Sequence, residues 1–228
     1  MTQEIELTSE LGVSLIDSMG SDESVVHAAR VSIVGAKAET EDGERKGLLN
    51  FLMSNSHNSP FEHVTATVML EIPIFITREV HRHRTFSYNE VSGRYSILKP
   101  KFYVPHSDRP IVQIGKPGTY SFSQGSDEQY NALYPELQNS YQASWSTYER
   151  LLESGIAKEV ARDVLPVGIY TAFYMTGNLR NWMSFLSLRT SPDALYEIRQ
   201  VAFQIEQELC KIAPTCMSLW DENGRRPL

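Results

Sequence analysis

From Val64 to Ile72 every second residue is apolar: Val64, Ala66, Val68, Leu70 and Ile72 alternate with Thr65, Thr67, Met69 and Glu71. A period of two predicts a strand with one buried face, and Pro73, which has no N–H, stops it. Val167, Ile169, Thr171, Phe173 and Met175 predict a second such strand. Around these two lie helical patterns. Ser21-Asp22-Glu23 leading into Val25, Val26 and Ala29 predicts a capped helix over 21–33, and Leu48, Leu49 and Leu52 mark another over 43–55. Leu137, Tyr141, Ser144, Tyr148 and Leu151 predict a long helix from Asp127 to Ser154. Gly177-Asn178 opens a helix to about Leu188, and residues 193–213 predict the last one, burying Leu195, Ile198, Ala202, Ile205 and Leu209. No regular strand–helix–strand rhythm appears, and neither a Gly-x-Gly-x-x-Gly nor a Walker loop is present. An α+β fold follows, an antiparallel sheet flanked by long helices.

The 228 residues suit a single domain, expected over 1–220, with Asp221 to Leu228 as a polar C-terminal tail. Residues 100–126, rich in Pro, Gly and Ser, read as a long loop. No apolar run approaches the ~20 residues of a membrane span, and no signal peptide is visible, so no membrane partner and a cytoplasmic location are expected. Cys210 and Cys216 have no second pair with which to form a disulfide framework or a zinc knuckle.

The formal net charge is -7, yet cations are locally concentrated. Residues 82–94 read Arg-His-Arg-Thr-Phe-Ser-Tyr-Asn-Glu-Val-Ser-Gly-Arg. Adjacent guanidinium groups repel unless an anion holds them, and their planar forks match phosphate oxygens. Two readings stand. In one, Arg82, Arg84 and Arg94 bind phosphate, with Ser87, Ser92 and backbone N–H groups filling the remaining acceptors. In the other, Glu71, Glu79 and Glu90 neutralise them internally. A short helix over 74–84 would set Arg78 beside Arg82 and Glu79 beside His83 at i,i+4.

Two more clusters carry chemistry. In His57-Asn58-Ser59-Pro60-Phe61-Glu62-His63, Ser59 as N-cap, Pro60 at the first position and Glu62 three residues on form a capping box. A helix start is also a place where an anion rests. Further on, Arg162 lies in Glu159-Val160-Ala161-Arg162-Asp163, and Asn178, Trp182, Phe185 and Arg189 fall near one helix face. Arg189 alone also suits the negative end of a helix dipole.

Arg-His-Arg, seven residues, then Ser92 resembles the signature of the flavin-dependent thymidylate synthases, and His-x-Ser-Pro-Phe-Glu-His resembles a second block of that family. The resemblance implies reductive methylation of dUMP to dTMP, with FAD as cofactor and with NADPH and 5,10-methylenetetrahydrofolate as co-substrates. It implies a nucleotide site of Glu79, Val80, His81, Arg82, Glu90, Val91, Ser92, Gly93, Arg94 and Arg162. For FAD it implies Ser32, His57, Ser59, Glu62, Arg82, His83, Arg84, Asn178, Leu179, Arg180 and Ser184. Arg189 takes the catalytic role, its guanidinium against the uracil ring. It further implies a homotetramer with active sites built between subunits. Three positions depart from the family pattern: Ser59 replaces Thr, Ser184 replaces Asn, and Glu79 replaces Gln. A carboxylate at Glu79 repels a phosphate unless Arg78 or His83 neutralises it.

Two rival classes are weaker. His57, His63, His81 and His83 offer imidazoles for a metal, but the spacing matches no ligand motif and intervening arginines oppose a dication, so no metal is expected. Arg82, Arg84 and Arg94 interleave with Phe86, Tyr88 and Tyr95 as a single-strand binder requires, but the acidic whole argues against a nucleic-acid partner.

Overall fold

A computed structural model describes residues 3–34, 42–116 and 118–228. Among these the chain forms, in order, β1 (Glu6–Thr8), β2 (Gly12–Met19), α1 (Asp22–Val34), α2 (Asp42–Ser54), β3 (Thr65–Pro73), α3 (Ile74–Val80), β4 (Ser87–Glu90), β5 (Lys101–Tyr103), β6 (Val112–Ile114) and β7 (Ser121–Ser123). There follow α4 (Asp127–Glu153), α5 (Lys158–Ala161), β8 (Tyr170–Asn178), α6 (Leu179–Arg189), α7 (Tyr196–Ile212) and α8 (Pro214–Glu222). Short 3-10 turns occupy Ser59–His63 and Arg162–Val164. The described residues divide into two compact units.

One unit comprises the segment ending at Glu10, Ile72–Thr77 and Val91–Thr171. Its strands β1 and β5 pair in parallel, Leu7 opposite Phe102. The helix α4 buries Tyr141, Trp145 and Tyr148 against Phe102, Ala161 and Ile169. Phe102 and Tyr141 stack with centroids 4.8 Å apart, and full burial of a side chain such as Phe102 contributes about 2 kcal/mol. Gly168 permits this closeness, since a Cβ there would stand 2.5 Å from the Tyr141 hydroxyl. Ser126 starts α4 with a capping box: its hydroxyl accepts from the Gln129 N–H, and the Gln129 side chain accepts from the Ser126 N–H. The expected loop over 100–126 instead holds β5 and an antiparallel hairpin, β6 with β7. Strands of three residues are too short to show a period in sequence.

The other unit comprises Leu11–Glu71, Arg78–Glu90 and Ala172–Leu228. The four-stranded sheet has the order β2-β3-β8-β4, antiparallel where β2 meets β3 and where β4 meets β8. The alternation read from sequence is the observed one: Ala66, Val68 and Leu70 are buried. Thr67 and Thr176 bring their hydroxyls to 2.9 Å between β3 and β8. The amphipathic α7 packs on β2, α6 on α7, and α8 on α2 and α7. The Asp22 carboxylate takes the Thr215 and Cys216 N–H groups, each at 2.8 Å, and so caps the start of α8.

Three boundaries and the burial of one core residue differ from expectation. The helix predicted over 74–84 stops at Val80, because a turn follows in which His83 N–H donates to the Val80 carbonyl. The second strand runs Tyr170–Asn178 rather than over 167–175. Leu195, expected in the core, is only half-buried. The polar tail is helical as far as Glu222, and beyond it Arg225 pairs with Glu206 at 2.6 Å and Asp221 at 2.9 Å. Among the described residues no helix is long and apolar enough to cross a membrane.

Candidate active site

Arg189 closes α6 with its side chain only 14% exposed. The helix is fixed by its start, where the Asn178 side chain accepts from the Asn181 N–H at 2.9 Å, and by buried Trp182, Phe185 and Leu186. Trp182 donates to the Gly177 carbonyl at 3.0 Å. Gly177 leaves room for Phe86, whose ring would lie 2.4 Å from any Cβ there. Thus held, the Arg189 guanidinium makes three bonds. Its Nε donates to His83 Nε2 at 2.9 Å, its Nη1 to the Glu79 carboxylate at 2.7 Å, and its Nη2 to the Glu79 backbone carbonyl at 2.9 Å.

His83 faces inward, with its ring edge-on to Phe185 at 4.7 Å. Burial, then the Arg189 charge, lowers its pKa to about 4 from 6.5, and Glu79 opposes the shift. A neutral ring whose Nε2 accepts from Arg189 carries its proton on Nδ1. The turn that aims it is pinned by Tyr88, whose hydroxyl donates to the His83 carbonyl at 2.7 Å with the Val80 carbonyl 3.1 Å away. The expected i,i+4 contact from Glu79 to His83 is therefore replaced. Glu79 pairs with Arg189, and neither Arg78 nor His83 is its neutralising partner.

The same turn exposes the cations. Arg78, Arg82 and Arg84 are solvent-exposed, and no ion pair to them forms among the described residues. Glu79, offered by sequence as their internal counter-charge, is taken by Arg189. His81 is exposed and meets the Tyr88 ring edge-on, whereas Val80 is buried. Glu90 is the exposed last residue of β4.

At the Ser59–His63 turn the capping box does not form. Asn58 is the N-cap and makes no side-chain cap bond, while Glu62 pairs with Arg180 at 2.5 Å. The motif matches a capping box in spelling, but the backbone there makes a single tight turn. His57 and Ser59 are exposed, and the Asn58 side-chain oxygen is buried without a donor among the described residues. Arg180 Nε and the Ser184 hydroxyl both donate to the Leu228 carbonyl, at 3.1 and 3.2 Å. Leu179 is buried, and its N–H donates to the Val64 carbonyl. Ser32 lies in α1, and its side chain falls outside the described residues.

The remaining candidates belong to the first unit. Gly93 is buried, and a Cβ on it would stand 3.2 Å from the Arg162 side chain, so the close approach it permits is to that arginine. Arg162 is exposed, without an ion pair among the described residues. Arg94 bonds Glu159 at 3.0 Å, and its N–H donates to the Ser92 hydroxyl at 3.3 Å. Val91 is exposed.

Sequence reasoning did not find Tyr88, Asn58 or the Glu79–Arg189 pair. Tyr88 acts across a turn and Arg189 across 110 residues, distances at which no local pattern speaks. The departure at Glu79 was the one available signal. Cys216 is buried whereas Cys210 is exposed, and desolvation raises both thiols, with Asp22 raising that of Cys216 further. Among the described residues no three His, Cys, Asp or Glu side chains converge as a metal site needs.

A largely shielded arginine, an inward imidazole and exposed guanidinium groups without ion pairs among the described residues describe a protein equipped for anionic ligands. The family described as thymidylate synthase complementing protein matches residues 14–215. The flavin-dependent thymidylate synthase of Streptomyces coelicolor is 42% identical over 97% of this chain and 95% of its own. That of Tropheryma whipplei is 43% identical over 95% of each. A structure of the UMP/dUMP methylase PolB from Streptomyces cacaoi bound with 5-Br UMP superposes with a TM-score of 0.92 at 41% identity, covering 99% of this chain and 100% of that one. The chain belongs to the flavin-dependent thymidylate synthase family and is an enzyme of that class.

Proposed function

We propose that this protein methylates dUMP to dTMP using FAD, with methylenetetrahydrofolate as carbon donor and NADPH as reductant. One observation supports this best: Arg78, Arg82 and Arg84 stand exposed around one turn without an ion-pair partner among the described residues. Such standing charge suits ligands that carry phosphates. The donor set also fits FAD. Arg82 and Arg84 suit its pyrophosphate, and the exposed His57 and Ser59 with the orphaned Asn58 oxygen suit its polar groups. Asn178, Arg180, His83, Ser32, Leu179, Ser184 and Glu62 complete that assignment. Arg180 and Ser184, which here donate to the Leu228 carbonyl, would be the donors available to the cofactor.

When bound and reduced by NADPH, FAD supplies the hydride that completes the new methyl group. The chain's part is placement and charge. Arg94, Arg162, Ser92 and Gly93, with Glu90 and Val91, address the nucleotide, as do Arg82, His81 and the Val80 backbone. Ser92, an alcohol without an adjacent base, positions rather than attacks. Arg189 meets the pyrimidine carbonyl edge as negative charge develops there, an electrostatic contribution worth about 100-fold in rate. The neutral His83 holds its proton on Nδ1 and leaves Arg189 as the cation. The assembly fitting this reading is a homotetramer.

The test is product formation: purified protein given dUMP, methylenetetrahydrofolate, NADPH and FAD yields dTMP. Absence of dTMP while flavin stays bound overturns the assignment. The likeness to a UMP/dUMP methylase favours a second reading, in which UMP is also methylated. The same assay with UMP decides it: 5-methyl-UMP supports the broader substrate range, and unreacted UMP removes it.

A further inference from the structure

Three acceptors surround the Arg189 guanidinium, and two of them come from one residue. The Glu79 carboxylate takes Nη1 and the Glu79 backbone carbonyl takes Nη2, while His83 Nε2 takes Nε. We propose that Glu79 is the positioning residue for Arg189, acting on the guanidinium and not on the nucleotide. This rests on the reading that Arg189 serves the pyrimidine.

The geometry explains why a carboxylate belongs here. A guanidinium has five N–H donors in a rigid plane. Three directions of restraint fix that plane and leave one N–H on each terminal nitrogen for a ligand. The Arg189 side chain is 14% exposed and Glu79 33% exposed, so this charge is shielded and its partner still reaches water. Removing one member of such a pair leaves the other charge uncompensated. Arg189 would then turn toward any anion nearby, and a phosphate-bearing substrate brings one. Binding would survive, while the donors needed at the carbonyl edge would be misplaced. A misplacement of about 1 Å costs up to ~100-fold. The carboxylate is also kept off the substrate phosphate, because its charge is already engaged. That resolves the repulsion the sequence raised at this position.

The experiment uses the flavin-loaded full chain with dUMP, and reads kcat and KM for Glu79→Ala and Glu79→Gln. Glu79→Ala is expected to lower kcat about 10- to 100-fold without raising KM for dUMP. Glu79→Gln, which keeps an acceptor for Nη1, is expected to recover about tenfold over Glu79→Ala. A Glu79→Ala enzyme with unchanged kcat overturns the proposal. So does one whose KM rises tenfold at unchanged kcat, since Glu79 would then touch the nucleotide. If Glu79→Ala does not fold, Glu79→Gln is compared with wild type in an Arg189→Lys background. That background is expected to retain flavin and to lose about 100-fold in turnover. There Glu79→Gln adds no further loss if it acts through Arg189, and an independent multiplicative loss overturns the idea. Full activity of Arg189→Lys alone marks failure of the underlying reading, and this proposal falls with it.

Discussion

Three side chains, Glu79, His83 and Arg189, divide one problem between them at the scale of single residues. In the role proposed for Arg189, a guanidinium that meets a growing negative charge has to be shielded enough to act and held firmly enough to aim. Glu79 supplies counter-charge and a backbone acceptor, and His83 supplies a neutral acceptor. Neutrality here has a consequence for stability. The folded His83 titrates at about 4 against 6.5 unfolded, chiefly through burial and secondarily through Arg189. Between those values the unfolded chain binds a proton that the folded chain refuses. The stabilisation is therefore complete above pH 6.5 and is lost as pH falls toward 4. Thermal midpoints measured across this window are expected to drop with acid, and His83→Gln is expected to flatten that part of the slope. An unchanged slope in the variant would show that His83 is not the group responsible. None of this pairing was legible in the sequence beyond the odd carboxylate at Glu79, because its partner lies 110 residues away.

At the scale of elements, legibility followed period and length. The nine residues of β3 and the long helices α4, α6 and α7 state their buried faces by repetition, and each lies within a few residues of its expected place, with Leu195 left just before α7. The hairpin of β6 and β7 was not, since three residues per strand give no repeat. The capping box at Ser59 failed for a different reason. The letters fit, but the Glu62 carboxylate has a stronger partner in Arg180, and the turn offers no regular helix start. The early end of α3 was likewise invisible, because it depends on Tyr88 reaching back to the Val80 and His83 carbonyls. Burial pushes that phenol up to about 12, so it remains a donor at any physiological pH. Tyr88→Phe is expected to destabilise the fold by about 1 kcal/mol and to loosen the turn that aims His83. Chemical denaturation checks the first effect, and a midpoint equal to wild type would mean the bond contributes nothing net.

For the whole molecule, an acidic chain carries local clusters of exposed guanidinium groups that have no ion pair among the described residues. In one unit Arg78, Arg82 and Arg84 form such a cluster, and in the other Arg162 stands beside Gly93. The Arg-His-Arg segment announced this in the sequence, since clustered cations need an anion to hold them. What the sequence left open was whether internal carboxylates would settle the charge. Glu79 is committed to Arg189, and the three exposed arginines remain without ion pairs among the described residues. In the proposed function this charge receives a flavin and a pyrimidine nucleotide. The visible absorption spectrum of the purified protein, taken with FAD and then with dUMP added, tests it most directly. A flavin band that stays with the protein through gel filtration and shifts when dUMP is added is the expected result. Protein that emerges colourless after incubation with FAD, with a spectrum indifferent to dUMP, would contradict it.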